Sequence, residues 1–238
     1  RPALGLDYDQ QLRGILHFYT DAAEFDHAIP QAELMRRYGC ERVVKSAAEC
    51  LAIEPALVNS TVPIVGGTYT ADDESGDAHK FTTLLARKAA ELGVTFRYGA
   101  TVEAMDAEGG RITGVRLAGG EMLRADACVV ALGSYSPLLL KPLGIALPVY
   151  PAKGYSATIP LAEGDVAPTV SLTDDGRKLV FSRLGSRLRV AGTAEFTGYD
   201  TSLNHVRCQA LVKRTAELFP ALGSAADIEF WAGLRPAT

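Results

Sequence analysis

The reading of the fold turns on ACVVALGSYS, residues 127–136. Ala127, Cys128, Val129, Val130 and Ala131 show no polar alternation, which predicts a strand covered on both faces, as in the middle of a parallel sheet. Leu132 and Gly133 end it. Upstream, Phe81, Leu84, Leu85, Ala89 and Leu92 recur at helical spacing, and Gly93 stands where a C-terminal cap belongs. Val94, Phe96 and Tyr98 alternate with polar positions and predict a strand directly after that helix. Residues 101–106, 111–117 and 121–124 read as short strands joined by Gly109-Gly110 and Gly119-Gly120, an antiparallel meander. Helix, strand, meander, buried strand and glycine turn together describe half of a doubly wound nucleotide-binding sheet. Ligands of such sheets lie at the carboxyl ends of the strands, which places Gly133 on a ligand-facing edge.

Outward from this stretch the texture changes on both sides. Residues 14–20 predict a strand, 21–38 a polar helix ended by Gly39, 41–44 a short strand, and 46–53 a helix stopped before Pro55, together a small α+β region. A boundary is expected at Pro63, ahead of Gly66-Gly67 and the acidic turn Asp72-Asp73-Glu74-Ser75-Gly76. Beyond Pro137 and Pro142 the pattern is all-β, with strands expected at 150–159, 169–172, 178–184 and 188–194, so a second domain is expected there. A helix at 203–219 should bury Leu211, Val212, Thr215, Ala216 and Phe219 on one face, and a last strand at 227–231 leads into Gly233-Leu234-Arg235-Pro236.

Composition narrows the function classes. The 238 residues are 47% hydrophobic and 22% charged, those of an ordinary globular chain, and the net charge of -4 leaves no basic excess for a nucleic acid partner. Cys40, Cys50, Cys128 and Cys208 form no C-x-x-C pair, which fits neither a disulfide framework nor a zinc site and makes a reducing compartment the default. No run approaches the roughly 18 to 20 apolar residues of a membrane span, and Arg1 to Gln11 lacks the pattern of a signal peptide. His17, His27, His79 and His205 have no metal-ligand spacing, so no metal is expected. A phosphate-cradling loop of the NTPase type is absent, and Gly154-Tyr155-Ser156-Ala157-Thr158 lacks the second glycine of a nucleophile elbow. The pairs Asp72-Asp73 and Asp174-Asp175 read as solvated turn carboxylates, and no catalytic acid/base residue is assigned.

Two candidates for ligand chemistry remain. Ala131, Leu132, Gly133 and Tyr135 offer small residues at a strand end, where backbone can approach a flat or anionic ligand, beside an aromatic edge; ordinary packing is the alternative. Arg235, set between Gly233-Leu234 and Pro236 after Trp231, suits bidentate capture of a carboxylate, an ordinary surface arginine being the alternative.

Taken together, these blocks resemble the FAD-dependent D-amino acid oxidase superfamily, and within it the bacterial dehydrogenases that act on D-amino acids. Gly66-Gly67-Thr68-Tyr69, then Asp72 to Asp77 and Phe81-Thr82-Thr83-Leu84-Leu85, are similar to the family's G-G-x…D-E-x-G-D…F-T-x-x-L stretch. Residues 94–98, 129–136, 150–156 and 230–236 match in the same order, so the likeness covers nearly the whole chain. The departure is at the ends: the family's opening G-x-G-x-x-G, whose helix holds the FAD pyrophosphate, and the P-D-G segment after G-L-R-P are not in this sequence. The chain therefore reads as an internal portion of a longer enzyme.

The resemblance implies α/β and α+β architecture, a partial doubly wound FAD-binding domain interleaved with a mostly antiparallel β substrate domain. Residues 1–63 would be substrate domain, 64–147 FAD-binding domain with its meander, 148–230 substrate domain, and 231–238 a return to the FAD-binding domain. Val102 would reach the adenosine of FAD through its backbone, Ala131, Leu132, Gly133 and Tyr135 would line the cofactor, and Arg235 would pair with the substrate carboxylate. Tyr150, Tyr155 and Arg183 are possible pocket members, their faces undecided by alternation alone. The implied reaction is oxidative deamination of a D-amino acid to a 2-oxo acid and ammonia, by hydride transfer from the α carbon to flavin. A quinone or another respiratory-chain component would be the acceptor, at the cytoplasmic face of the bacterial inner membrane with peripheral association; oligomeric state is not legible. Two alternatives stay open: a glycine- or sarcosine-type amine oxidase of the same superfamily, and a catalytically silent fragment serving as an interaction module.

Overall fold

The computed structural model describes residues 4–222 and 227–238; the first three residues of the Arg1–Gln11 stretch lie outside the described residues. In chain order the elements begin with β1 (Ile15–Tyr19), α1 (Ala22–Arg37), β2 (Arg42–Ser46), α2 (Ala47–Ile53), β3 (Gly66–Thr70) and α3 (Ala78–Glu91). The meander follows as β4 (Val102–Glu108), β5 (Arg111–Leu117) and β6 (Met122–Leu123), then the short helix α4 (Ser136–Leu140). The rest comprises β7 (Tyr150–Pro160), β8 (Ser171–Asp174), β9 (Leu179–Leu184), β10 (Arg187–Glu195), α5 (His205–Leu218) and β11 (Glu229–Ala237). One sheet has eight strands in the order β11-β7-β10-β9-β8-β1-β3-β2; the other is β4-β5-β6. The described pairings are antiparallel except β1 with β8, which run parallel although they stand far apart in sequence.

The contacts divide the chain into two compact units interleaved in sequence: unit 1 is Arg1–Lys88, Gly154–Ala194 and Ser202–Ala232, and unit 2 is Ala89–Lys153, Glu195–Thr201 and Gly233–Thr238. The composition change at Pro63 marks no break in the larger sheet, because β3 just beyond it pairs with both β1 and β2.

Local chemistry sets these elements. Asp21 caps α1 by accepting from the Glu24 N–H, and Ser46 caps α2 in a reciprocal box with Glu49. The glycine pair at the start of β3 is explained by packing on both of its faces. A Cβ on Gly66 would run into the Phe25 ring of α1, and one on Gly67 would come within 2.7 Å of the Cys50 sulfur of α2. Two adjacent bare positions therefore let two helices seat on opposite faces of one strand.

The core of unit 1 lies on one face of the larger sheet. Leu16 and Phe18 of β1, Leu172 of β8, Phe181 of β9 and Leu188 and Val190 of β10 are wholly buried there, with Cys50 of α2 and Cys208, Leu211 and Leu218 of α5. Each large apolar side chain so placed contributes about 1.5–3 kcal/mol relative to exposure. Phe181 and Phe219 meet edge to face at 5.5 Å. On α5 the buried positions are Cys208, Leu211, Arg214, Thr215 and Leu218, while Ala216, expected inward, is exposed, so the packed stripe is rotated from the sequence expectation. The last strand runs on to Ala237, taking Gly233 to Pro236 into the sheet edge instead of leaving them as a connection.

Two expected strands are not formed. Residues 94–98 and 127–131 carry no strand pairing, and Val129 is 91% exposed where burial on both faces was expected. The reason is elementary: a strand is completed by a hydrogen-bonding neighbour, and none of the described residues supplies one to either segment. Phe96 and Tyr98 instead stack on one another, with centroids 5.5 Å apart and planes 3° from parallel.

Candidate active site

The face of the larger sheet opposite the core carries a row of polar side chains among apolar ones such as Ile15 and Leu184. Strand alternation puts Ser156 and Thr158 of β7, Ser171 and Thr173 of β8, Ser182 of β9, Arg187 and Arg189 of β10 and His17 of β1 on it. Register aligns a row across the strands. Arg42 pairs with Thr70, Thr70 with Ile15, and Ile15 with Ser171. The Ser171 and Ser182 hydroxyls are 3.2 Å apart, Ser182 pairs with Arg189, and Arg189 Nε donates to Thr158 Oγ1 at 3.2 Å. Glu54 fixes the approach to this row. Its carboxylate is buried and accepts backbone N–H bonds from Thr169 at 2.6 Å and Val170 at 2.8 Å, locking the residues that lead into β8.

A second polar cluster lies around β1. His17 pairs with Thr68 on one side and Thr173 on the other; its Nε2 lies 3.1 Å from an Arg42 nitrogen and its Nδ1 lies 3.8 Å from Asp175. Tyr19 donates to Asp175 at 2.6 Å. Burial and the Arg42 guanidinium hold the His17 imidazole below its ordinary value against the opposing pull of Asp175. Burial and the bond to Asp175 push the Tyr19 phenol up.

The pair Asp174-Asp175 is thus not a solvated turn. Asp174 is fully buried and accepts from Arg214 Nε at 2.6 Å, and Arg214 also bonds Glu217 at 3.0 Å. Burial alone would lower the Arg214 guanidinium, yet these carboxylates outweigh it and raise the group above its ordinary value. The turn reading failed because the residue that neutralises Asp174 comes from α5, far along the chain.

Of the residues singled out in the sequence, Tyr155 goes to the core. It is 2% exposed, on the β7 face shared with Ala157 and Ile159, and so stands opposite the polar row. Arg183 shares the β9 face of Phe181, and its Nε donates to the Gly185 carbonyl at 3.4 Å within the hairpin. Unit 2 gathers several of the others. Val102 opens β4 and pairs with Leu117, while Ala131 and Leu132 are exposed ahead of Gly133. The Tyr135 ring lies 5.2 Å from that of Tyr199, whose hydroxyl donates to the Ser134 carbonyl at 3.0 Å and pins the turn. Tyr150, half-exposed, lies 5.9 Å from Phe196. Arg235 is exposed on β11 and makes no ion pair among the described residues.

Gly133 carries φ +55°, and a Cβ there would find only Pro236, at 3.8 Å. The turn is bare, its backbone conformation favours glycine, and the strip from Ala127 to Leu132 beside it is open and apolar. These residues fit a flat cofactor. Sequence reasoning passed over Ser171, Ser182, Arg189 and Thr158; alternation marked two faces on each strand, and only the arrival of α2 and α5 decided which face became core.

A model of the family described as FAD dependent oxidoreductase matches residues 2–238. The chain belongs to that family. It is 60% identical over 242 residues to the D-amino acid dehydrogenase of Dechloromonas aromatica (strain RCB), a match covering 100% of this chain and 58% of the relative. The D-amino acid dehydrogenase of Paramagnetospirillum magneticum (strain ATCC 700264 / AMB-1) is 51% identical, with 100% and 56% covered. The chain therefore spans little more than half the length of these relatives. Among solved structures, glycine oxidase from Bacillus cereus ATCC 14579 superposes with a TM-score of 0.85 at 22% identity, covering 99% of this chain and 63% of that one. L-proline dehydrogenase from P. horikoshii gives 0.84 at 18% identity, covering 100% and 63%. These likenesses agree with the mixed α/β fold, its large sheet and its smaller antiparallel one.

Proposed function

We propose that this chain is the central portion of an FAD-dependent D-amino acid dehydrogenase, which converts a D-amino acid to a 2-oxo acid and ammonia. The observation that carries this reading is the 60% identity to a D-amino acid dehydrogenase along all of the chain. Glycine oxidase-type acceptor chemistry is the alternative, supported only by structural likeness at 22% identity. FAD, when bound, supplies the two-electron acceptor for the substrate's α C–H bond.

The chain's own residues would bind and orient. In unit 2, Val102, Ala131, Leu132, Gly133 and Tyr135 would hold the cofactor, the bare Gly133 turn allowing close backbone approach. Arg235, exposed and without an ion pair among the described residues, would pair with the substrate carboxylate through its planar fork. Positioning and exclusion of water then do most of the work, and no side-chain base is required once the amine is neutral. With β3 left to the larger sheet, the segments after it to 147 and 231–238 would serve the cofactor domain, and 1–63, β3 and 148–230 the substrate domain. A quinone or respiratory-chain component would take the electrons at the cytoplasmic face of the inner membrane; among the described residues no helix is long and apolar enough to cross a membrane.

The test is anaerobic addition of D-alanine to the full-length protein with FAD. Bleaching of the flavin bands, with 2-oxo acid and ammonia formed, is expected, and Arg235→Leu should raise KM by roughly tenfold or more while leaving the flavin spectrum unchanged. A flavin spectrum unmoved by any D-amino acid contradicts the reading.

A further inference from the structure

The polar row of the larger sheet holds a cation without a carboxylate. Two arginines of β10 occupy the same face two residues apart, and their surroundings differ. Arg187 is neutralised by Asp77 at 3.1 Å, whereas Arg189 has no carboxylate within 4 Å among the described residues. Among the described residues its guanidinium makes one hydrogen bond, from Nε to Thr158 Oγ1 at 3.2 Å. That bond fixes the plane of the guanidinium and leaves both terminal nitrogens, the pair that forms a two-pronged bond to a carboxylate, without partners.

The neighbours are donors of the same kind. Ser182 is Arg189's partner across the β9–β10 pairing, and its hydroxyl is shared with Ser171. Ser156, two residues from Thr158 on the same β7 face, is 4% exposed and its hydroxyl has no hydrogen-bond partner among the described residues. Buried hydroxyls normally find a partner, and Ser156, two residues along β7 from the Arg189 anchor Thr158, adds a hydroxyl that can donate to an anion. The site is also built on strands, with Glu54 locking the approach to β8.

We propose that Arg189, clamped by Thr158 and flanked by Ser156 and Ser182, is a carboxylate-binding residue on the polar side of the larger sheet. That the carboxylate belongs to an amino acid rests on the proposed function; that Arg189 binds a carboxylate does not. An amino acid can offer two sources, its α-carboxylate or an acidic side chain, and both present the same chemistry to the guanidinium.

The experiment uses the full-length protein with its flavin, as wild type, Arg189→Gln, Arg189→Lys and Thr158→Val. Steady-state oxidation of D-alanine, D-alaninamide and D-glutamate is measured with an artificial electron acceptor, and propionate binding is measured by calorimetry. Removing a charge-assisted bond of this kind should weaken carboxylate binding roughly tenfold or more in Arg189→Gln. Arg189→Lys, keeping the charge and losing the fork, should fall between, and Thr158→Val should lose less. If the α-carboxylate is bound by Arg189 in place of Arg235, Arg189→Gln loses the preference for D-alanine over D-alaninamide and Arg235→Leu keeps it. If a side-chain carboxylate is bound, D-glutamate alone suffers. Weaker propionate binding in Arg189→Gln upholds the residue's role even where no D-amino acid is oxidised, an outcome that sinks only the proposed function. Unchanged kinetics and unchanged propionate binding in Arg189→Gln, or a wild type that binds no carboxylate, overturns the proposal.

Discussion

Unit 1 buries Leu16, Phe18, Leu172, Phe181 and Leu188 completely, whereas unit 2 leaves Val129 91%, Leu92 83% and Tyr98 79% exposed. Both regions carry apolar runs in sequence, and the difference lies in partners. In unit 1 every predicted strand of the core finds a neighbour, even when it must come from far along the chain, as β8 does for β1. In unit 2 the meander closes on itself through β4, β5 and β6, yet residues 94–98 and 127–131 have no described strand to pair with. An apolar run states what a segment would do beside a partner, and the chain spans 58% of the relative it matches at 60% identity.

The contrast can be sharpened first in unit 1, where the largest loss is expected. Asp174→Ala leaves the buried Arg214 with only the more exposed Glu217 as counter-charge; breaking a buried pair outright costs about 3–5 kcal/mol, and a loss toward the lower end of that range is expected. Denaturant unfolding of the 238-residue chain should show this as a lowered midpoint. A midpoint within error of the wild type would mean that unit 1 is not held as tightly as its burial implies.

Much of this was legible beforehand. The helix at α3, the glycine-turned meander and the β9–β10 hairpin follow from periodicity, because each has its partner or its turn nearby in sequence. Which face of each strand became core was not, and the fates of Tyr155 and Ser156 show why. They are adjacent on β7 and point to opposite faces, and only α2 and α5, packing from either side of the sequence, settle that Tyr155 is the inward one. Asp174 was misread for the same reason, its partner Arg214 being 40 positions away.

A smaller effect is expected from acid. The folded pKa of His17 lies below its ordinary 6.5, through burial first and Arg42 second, so the neutral ring's contribution is complete above the ordinary value. As pH falls below 6.5 and through the folded value, the unfolded state takes up the proton more readily and that contribution is lost. His17→Gln should flatten the decline in unfolding midpoint over that interval. An identical decline in variant and wild type would place the acid sensitivity elsewhere.

The comparison between the units is tested most directly at Cys128, which is exposed in the unpaired 127–131 segment, against Cys50 and Cys208, both buried. Burial pushes the Cys50 thiol up to about 11, so it should resist alkylation in any folded form. Peptide-resolved iodoacetamide labelling would be timed in the 238-residue chain and in the full-length flavin-loaded protein. If residues 127–131 are a strand completed by the rest of the protein, Cys128 labels fast in the former and is protected in the latter, while Cys50 and Cys208 stay slow in both. Equally fast labelling of Cys128 in the two proteins would contradict this, and would mean that the segment remains open even when the protein is whole.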